Sequence, residues 1–452
     1  MSDYASISRV ELKGIHGHQE MALQFSKGLN IIYGKNGSGK TTLLHILANL
    51  MNKDIQRFCY LKFHTISVST HSGHSIVLRR SFPEPNVKLT IDERFAADVD
   101  KDSDLSSRTQ QALAELFGSE PIYLPAFRSI LEAASHSSGP RTMEPRTEQY
   151  LKTRNQELAR LKSHTQESFL SRNDERAEAI ALKTSLCRRW FGQFVPVIRY
   201  PSLNDVNREL NRELTQAFFH LSSLTQSTLK SVFDGVIHAA LYPSVESPEV
   251  DLDEILAGLK VTGEERPVES PFNNEQMKEN PVVVSVLKVY QEALRNRSKM
   301  EKKYLEVITR FQESVNRFLE DKALNLQPDA REENRCIILP NGEPASLDVL
   351  SSGERHVLTL LFSATHMSQS DGLLLIDEPE LSLHVDWQRI ILQELLKLAD
   401  GRQIIACTHA PEVAADHRDK LIEIRPCRWK DEQLLFDVDT TTEIGPDEEI
   451  LY

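Results

Sequence analysis

The sequence predicts an α/β fold with a mixed sheet core, an antiparallel β-meander and a helical domain inserted between the two halves of the core. Short apolar runs with the two-residue period of strands alternate with helical patterns near both ends of the chain. A glycine-rich loop near residue 35 stands between an apolar run and the start of an apolar helix pattern. Between 145 and 325, apolar residues recur mostly three and four positions apart, which is typical of helices.

The first fifty residues predict three strands and a helix. Alternating apolar residues indicate two half-buried strands between 7 and 25. Residues 28–33 are apolar enough for a buried strand, and they lead directly into the glycine loop at 34–39. Leucines and isoleucines then recur on one face of a helix over 40–52.

Residues 57–93 predict an antiparallel meander, because strand-like runs are separated there by turn residues. The runs lie at 58–61, 66–68, 75–78 and 87–91. A polar loop is expected at 98–110, and a short strand at 122–125 follows it.

The middle of the chain predicts several helices rather than one long coiled coil, because its apolar pattern is interrupted by loops rich in Pro, Ser, Asn and Glu. A hairpin at 336–347 then leads back into alternating helices and strands. Helices are expected at 353–367 and 385–399, and strands at 373–377, 403–407, 420–424 and 433–437.

These elements divide the chain into four predicted segments. They are an N-terminal lobe at 1–130, a helical insertion at 131–330, a C-terminal lobe at 331–430 and an acidic tail at 431–452. The tail carries eight acidic residues and no basic ones, so it is either a docking surface for a basic partner or a disordered solubilising segment.

Composition excludes several classes of protein. The net charge of −13 disfavours indiscriminate nucleic-acid binding by the whole surface. The five cysteines are scattered without a Cys-x-x-Cys pair, which argues against a zinc clip or a disulfide framework. Without a long apolar stretch or a signal-like N-terminus, we expect a cytoplasmic protein that does not enter a membrane.

The glycine-rich loop has the residue types that hold a nucleotide phosphate. It fits Gly-x-x-x-x-Gly-Lys-[Ser/Thr] between a strand and a helix, so backbone N–H groups close around the phosphate at the helix N-terminus. Lys40 brings a cation to the β- and γ-phosphates, and the Thr41 hydroxyl suits Mg²⁺. The predicted nucleotide-binding residues are Gly34, Lys35, Asn36, Gly37, Ser38, Gly39, Lys40, Thr41 and Thr42.

Two adjacent carboxylates end the predicted strand at 373–377. Buried acids at a strand end are costly unless a cation or a water needs them. Asp377 is therefore expected to bind Mg²⁺ together with Thr41, and Glu378 to polarise the attacking water. His409 follows the strand at 403–407 and is expected to contact the γ-phosphate.

Together these motifs resemble the Walker A, signature, Walker B, D-loop and switch-histidine elements of an ABC-type ATPase head. They lie in the order of that family at 34–42, 350–354, 373–378, 380–384 and 408–409. The resemblance implies ATP and Mg²⁺ as ligands and implies that Ser351 contacts ATP held by a second subunit. Ser351, Ser352, Gly353 and Glu354 would form the signature in trans, within a homodimer or a larger oligomer built of dimers. Leu-Ser-Ser-Gly-Glu departs from the usual Leu-Ser-Gly-Gly-Gln.

The Q-loop of that family has no matching glutamine in this sequence. The segment at 123–128 is a substitute, with Arg128 as a phosphate or interface contact. The opening residues at 10–15 and 28–30 resemble the SMC, Rad50 and RecF branch, and the insertion is too irregular for the long arm of an SMC protein.

Within that branch the chain resembles stand-alone OLD-like ATPases of the AAA15/AAA21 type, similar to ATPase subunits of bacterial anti-phage systems such as PARIS or Septu. Only about forty residues follow His409, which leaves no room for a Toprim nuclease domain. The resemblance thus implies an ATPase that senses infection and regulates a separate effector, often a nuclease. A RecF-like DNA-repair ATPase that clamps DNA is the alternative, and a basic face with a DNA contact would favour it.

Overall fold

The computed structural model describes residues 6–80, 86–101, 105–127, 172–241, 281–326, 336–365, 372–414, 417–425 and 427–428. By their mutual contacts they form two compact units. The first unit runs to Ser202 and resumes at His356, and the second covers Leu203–Arg355.

The described strands and helices follow the alternation that the sequence predicts at both ends of the chain. The strands are β1 Ile7–Ile15, β2 Gln19–Gln24, β3 Leu29–Tyr33, β4 Thr65–Thr70, β5 Ser75–Arg80, β6 Val87–Ile91, β7 Phe95–Val99, β8 Ile122–Leu124, β9 Ala323–Leu324, β10 Ile337–Ile338, β11 Pro344–Ala345, β12 Leu374–Asp377, β13 Ile404–Thr408, β14 Leu421–Glu423 and β15 Cys427–Arg428. The helices are α1 Lys40–Met51, α2 Ser107–Phe117, α3 Arg172–Phe191, α4 Leu203–Leu241, α5 Pro281–Asn316, α6 Ser352–Ala364 and α7 Val385–Leu398.

A parallel five-stranded sheet forms the core of the first unit, in the order β14-β3-β13-β12-β8. Its central strands are buried on both faces, which explains why their sequences are continuous apolar runs. In register, Asp377 lies opposite Cys407, and Thr408 lies opposite Tyr33. The carboxyl ends of three strands therefore meet at one edge, where the segments after them come together.

Seven antiparallel strands form a separate sheet, in the order β15-β2-β1-β4-β5-β6-β7. Burial alternates along most of these strands, as a sheet with one core-facing side requires. The predicted α/β fold, with its sheet core and its antiparallel meander, is thus confirmed, and its parallel and antiparallel strands occupy different sheets.

One local prediction in the N-terminal lobe is wrong, and a second is right for only part of its range. The run at 58–61 belongs to a 3₁₀ turn, Ile55–Tyr60, in which Phe58 and Cys59 are buried and Tyr60 is exposed. Four apolar residues are too few to reveal a period, and a salt bridge of 3.2 Å between Arg57 and Asp54 stabilises the turn.

The expected loop at 98–110 contains the end of β7 and the start of α2. The Ser106 hydroxyl caps this helix by accepting a hydrogen bond from the Thr109 N–H at 3.2 Å. Ser107 and Arg108 are exposed on this helix while Thr109 is buried, so these polar residues belong to an amphipathic helix rather than to a loop.

In the second unit, α4 and α5 have 39 and 36 residues and pack against each other. A three-stranded sheet, β11-β10-β9, contains the predicted hairpin. None of the helices in the described part of the chain is long and apolar enough to cross a membrane. The predicted strand at 433–437, the acidic tail and Arg128 lie outside the described residues, and the predicted segment boundaries stay predictions.

Candidate nucleotide site

The glycine loop after β3 has a backbone that only glycine accommodates easily. Gly37 and Gly39 have φ angles of 78° and 91°, in the left-handed region. A Cβ atom on Gly34 would stand 2.8 Å from the Ser38 hydroxyl and 3.2 Å from the carbonyl oxygen of Ile424. The loop is therefore a tight turn against β14 that ends at the first residue of α1.

Lys40 is the cation of this loop and is 7% exposed. Its Nζ donates to the carbonyl oxygens of Gly34 at 2.7 Å and Lys35 at 3.2 Å, so the loop wraps around the ammonium group. The buried hydroxyl of Ser38 has no hydrogen-bond partner among the described residues. A buried cation beside an unsatisfied hydroxyl and a helix N-terminus fits a phosphate group.

Thr41 and Asp377 meet at the other side of the loop. The Thr41 hydroxyl donates to Oδ2 of Asp377 at 2.8 Å across 336 residues of sequence. Mg²⁺ prefers a few hard oxygen ligands from the protein and takes the rest from phosphate and water. The pair fits that preference, and no group of three His, Cys, Asp or Glu residues in the described parts of the chain offers a closed metal site.

Glu378 and His409 stand at the ends of neighbouring strands. The Glu378 N–H donates to the carbonyl oxygen of Cys407 at 2.8 Å, and Glu378 has a φ of 50°. A non-glycine residue in this left-handed region is held there at some cost, and such residues cluster at functional sites. His409 Nδ1 lies 3.4 Å from Oε1 of Glu378, so the structure brings the two predicted catalytic residues together.

Glu380 belongs to the same cluster, although it is not among the residues predicted to be catalytic. It is 5% exposed, and its Oε1 accepts hydrogen bonds from the Thr408 hydroxyl and the His409 N–H. His409 Nδ1 lies 3.3 Å from the same oxygen. Its signals in the sequence are its place at the start of the D-loop-like segment 380–384 and a third acid two residues after Glu378.

The turn between β1 and β2 also reaches the loop. His16 Nε2 lies 3.2 Å from the Thr42 hydroxyl, and the Gln19 side-chain amide donates to the carbonyl oxygen of Gly37 at 3.2 Å. Burial and then the neighbouring His18 lower the pKa of His16. Sequence reasoning missed these contacts because polar side chains in a hairpin turn are common.

A contact between His45 and Tyr123 joins α1 to the parallel sheet. His45 lies one helical turn after Thr41, and its Nε2 is 2.9 Å from the Tyr123 hydroxyl on β8. Desolvation lowers the pKa of His45 to about 3, so the imidazole is neutral at physiological pH. The pair fixes the glycine-loop helix against the edge strand of the parallel sheet.

The predicted signature residues Ser351, Ser352, Gly353 and Glu354 belong to the second unit. Ser351 and Glu354 form a capping box: the Ser351 N–H donates to Glu354 at 2.6 Å, and the Glu354 N–H lies 3.4 Å from the Ser351 hydroxyl. Burial alone would raise the pKa of Glu354, but hydrogen bonds from Lys322 and Ser351 outweigh it and lower the pKa. Glutamate in place of glutamine thus gains a salt bridge to Lys322 at 2.8 Å.

Comparisons with known proteins match a family model to most of the chain and a curated relative to one part of it. The family model AAA_15, described as AAA ATPase domain, matches residues 6–414. A probable ATPase of retron Vc95 from Vibrio cholerae serotype O1 biovar El Tor is 31% identical over 98 residues. That similarity covers 19% of this chain and 19% of the retron protein, so the chain spans about a fifth of the length of this curated relative.

Two solved structures are similar at low sequence identity. The Smc head domain with an extended coiled coil from Pyrococcus furiosus has a TM-score of 0.40 and 14% identity, over 94% of this chain and 95% of that one. The Smc head domain from Pyrococcus yayanosii has a TM-score of 0.39 and 13% identity, over 94% of this chain and 96% of that one.

Proposed function

The chain belongs to the AAA_15 family of AAA ATPase domains, and on this premise we propose that it binds ATP at its glycine loop and hydrolyses it with Glu378 as general base. The contact between Thr41 and Asp377 carries the proposal. Phosphoryl transfer in P-loop ATPases needs a loop hydroxyl and a strand-end aspartate together. Here a 2.8 Å hydrogen bond joins those two residue types from opposite ends of the sequence.

Binding of the phosphates is the task of the loop. Lys40 exchanges its two loop carbonyl partners for phosphate oxygens, and the N–H groups at the start of α1 add donors. Mg²⁺, when bound at Thr41 and Asp377, supplies positive charge that neutralises the phosphate oxygens. The His16 and Gln19 contacts on the loop keep Gly37 and Thr42 in place.

Proton transfer is the task of the two strand ends. Glu378 accepts a proton from the attacking water, and its strained backbone holds the carboxylate at the edge of the sheet. His409, half exposed beside Glu378, contacts the terminal phosphate and stabilises its charge. Cleavage then releases ADP and inorganic phosphate.

Each chain supplies one glycine loop and one signature, and we propose that a second chain completes each site. The Ser351 and Ser352 side chains are exposed, which supports a contact in trans. The capping box and Lys322 hold Ser351 at the start of α6. The proposed assembly is a homodimer or a larger oligomer built of dimers.

We further propose that the ATPase has a role in antiviral defence. It rests on the resemblance to stand-alone ATPase subunits of anti-phage systems, and the similarity to the retron ATPase supports it over about a fifth of the chain. In this role the ATPase is a sensor and scaffold in the cytoplasm, and a separate effector such as a nuclease carries the output.

A DNA clamp remains the alternative, and one exposed row of the antiparallel sheet bears on it. In register, this row contains Glu20, Lys13, Thr65, Arg79, Lys88 and Asp98. Its three basic residues are flanked by acids, and Lys13 lies 4.0 Å from Glu20. This face of the sheet is mixed in charge, and it does not favour DNA over a protein partner.

The direct test is phosphate release from ATP by the purified chain with and without Mg²⁺, alongside its mass in solution with and without ATP. We expect Mg²⁺-dependent hydrolysis and an ATP-dependent increase in mass. Absence of hydrolysis with intact ATP binding would leave a binding protein rather than an enzyme. Co-purification with the products of neighbouring genes identifies the effector, and a nuclease among them supports the defence role over the DNA clamp.

A further inference from the structure

Glu380 is a buried acid whose charge needs an explanation. A carboxylate that is 5% exposed is costly unless hydrogen bonds or a cation compensate it. One oxygen is compensated: Oε1 accepts from the Thr408 hydroxyl and, at 3.2 Å, from the His409 N–H. The other oxygen, Oε2, is buried without a hydrogen-bond partner among the described residues. A neutral side chain would fill this place at lower cost.

The position of Glu380 relative to His409 supplies the explanation. His409 Nδ1 lies 3.3 Å from Oε1 of Glu380 and 3.4 Å from Oε1 of Glu378. Nδ1 therefore faces two carboxylates, and their negative charge favours an N–H over a lone pair at this atom. That arrangement fixes the ring orientation and leaves Nε2 available to a ligand. When both ring nitrogens carry a proton, Nε2–H donates to the terminal phosphate that His409 is proposed to contact.

We propose that Glu380 is a positioning residue that orients His409 for hydrolysis and keeps its Nδ1 protonated beside Glu378. This inference rests on the proposed ATPase function and adds a residue to its machinery. Glu380 holds both the backbone and the ring of His409 through one oxygen atom. Outer residues that orient a catalytic imidazole in this way commonly change activity by about tenfold to a hundredfold.

The informative variant is Glu380→Gln, because the amide oxygen still accepts from Thr408 and from the His409 N–H. The negative charge beside Nδ1 is lost, and an NH₂ group takes the place of the buried Oε2. We expect kcat for ATP to fall about tenfold to a hundredfold while KM changes less than about twofold. Glu412→Gln is the matched control, since it is exposed and lies three residues after His409.

A double-mutant cycle separates positioning from a structural role. If Glu380 acts through His409, then Glu380→Gln has no further effect on kcat in a His409→Ala background. If the kcat of the double variant is instead reduced by the product of the two single reductions, the inference is overturned. Imidazole ¹⁵N shifts give a second readout, because the population of His409 with a proton on Nδ1 is expected to fall in Glu380→Gln.

Thr408 offers a second variant should the first fail to fold. Thr408→Ser keeps the hydroxyl that binds Glu380, whereas Thr408→Val removes it. We expect the valine variant alone to lose kcat, in the same direction as Glu380→Gln. If the wild-type chain releases no phosphate, the proposed function fails. If the wild-type chain is active and Glu380→Gln keeps its kcat, only the present inference fails.

Discussion

The Tyr123 hydroxyl lies 2.9 Å from Nε2 of His45, and the two rings meet edge to face with their centroids 5.3 Å apart. This contact joins the helix after the glycine loop to the edge strand of the parallel sheet. The His45 side chain keeps some exposure, but desolvation of its imidazole lowers the pKa to about 3. The pair is therefore a neutral bond in the core rather than a charged contact.

The first prediction is a loss of stability in mild acid. The unfolded chain protonates His45 below its ordinary pKa of 6.5, whereas the folded chain does so only near 3. Between these values His45 lowers the free energy of unfolding by about 1.4 kcal/mol for each pH unit. Above pH 6.5 it has no effect on the pH dependence.

Urea denaturation at pH 7, 6 and 5 measures this effect. His45→Gln is the control, because glutamine can still bond to Tyr123 but does not titrate. The wild-type chain is expected to lose more stability on acidification than this variant. Equal pH dependence of the two proteins would show that His45 is not buried as a neutral group.

The second prediction concerns Lys40. Lys40→Ala removes the cation that the loop surrounds, and the affinity for ATP is expected to fall about a hundredfold or more, because charge-assisted hydrogen bonds to the phosphates are lost. Binding of a fluorescent ATP analogue measures the loss. Lys27→Ala, at an exposed position before β3, is the control and should bind normally. Tight binding by Lys40→Ala would remove the phosphate role of this loop.

The third prediction separates binding from hydrolysis. Glu378→Gln keeps the size of the side chain but cannot accept a proton, so kcat is expected to fall about a hundredfold to ten-thousandfold with ATP binding intact. Because ATP stays uncleaved, the variant should also remain dimeric with ATP, and light scattering measures its mass. Normal turnover would exclude Glu378 as the general base.

The sequence predicts the glycine loop, Asp377, Glu378 and His409 because phosphate chemistry requires particular residue types at particular places in a strand-loop-helix context. The structure brings all four together at one sheet edge. Glu380 and the His45–Tyr123 pair could not be predicted in the same way. Their residue types are ordinary, and what distinguishes them is burial and a partner distant in sequence, 78 residues away for His45.

The same limit explains the local errors in the fold. Short apolar runs do not define a period, so the 3₁₀ turn Ile55–Tyr60 reads as a strand. A polar helix face has the composition of a loop, so the sequence pattern does not distinguish the start of α2 from the loop before it. Burial on both faces makes the parallel strands easier to recognise, because their runs are apolar throughout.

The fourth prediction tests whether two chains share each site. A Ser351→Arg chain has an intact glycine loop but a blocked signature, and a Lys40→Ala chain has the reverse. In a mixed dimer one of the two sites then contains the wild-type Lys40 of one chain and the wild-type Ser351 of the other. Mixing the two inactive proteins should therefore restore part of the wild-type ATPase activity.

Heterodimers are verified by co-purification on two different tags. The double variant carrying both substitutions in one chain is the control and should restore nothing when mixed with either single variant. If verified heterodimers recover no ATPase activity, each chain hydrolyses ATP without its neighbour's signature.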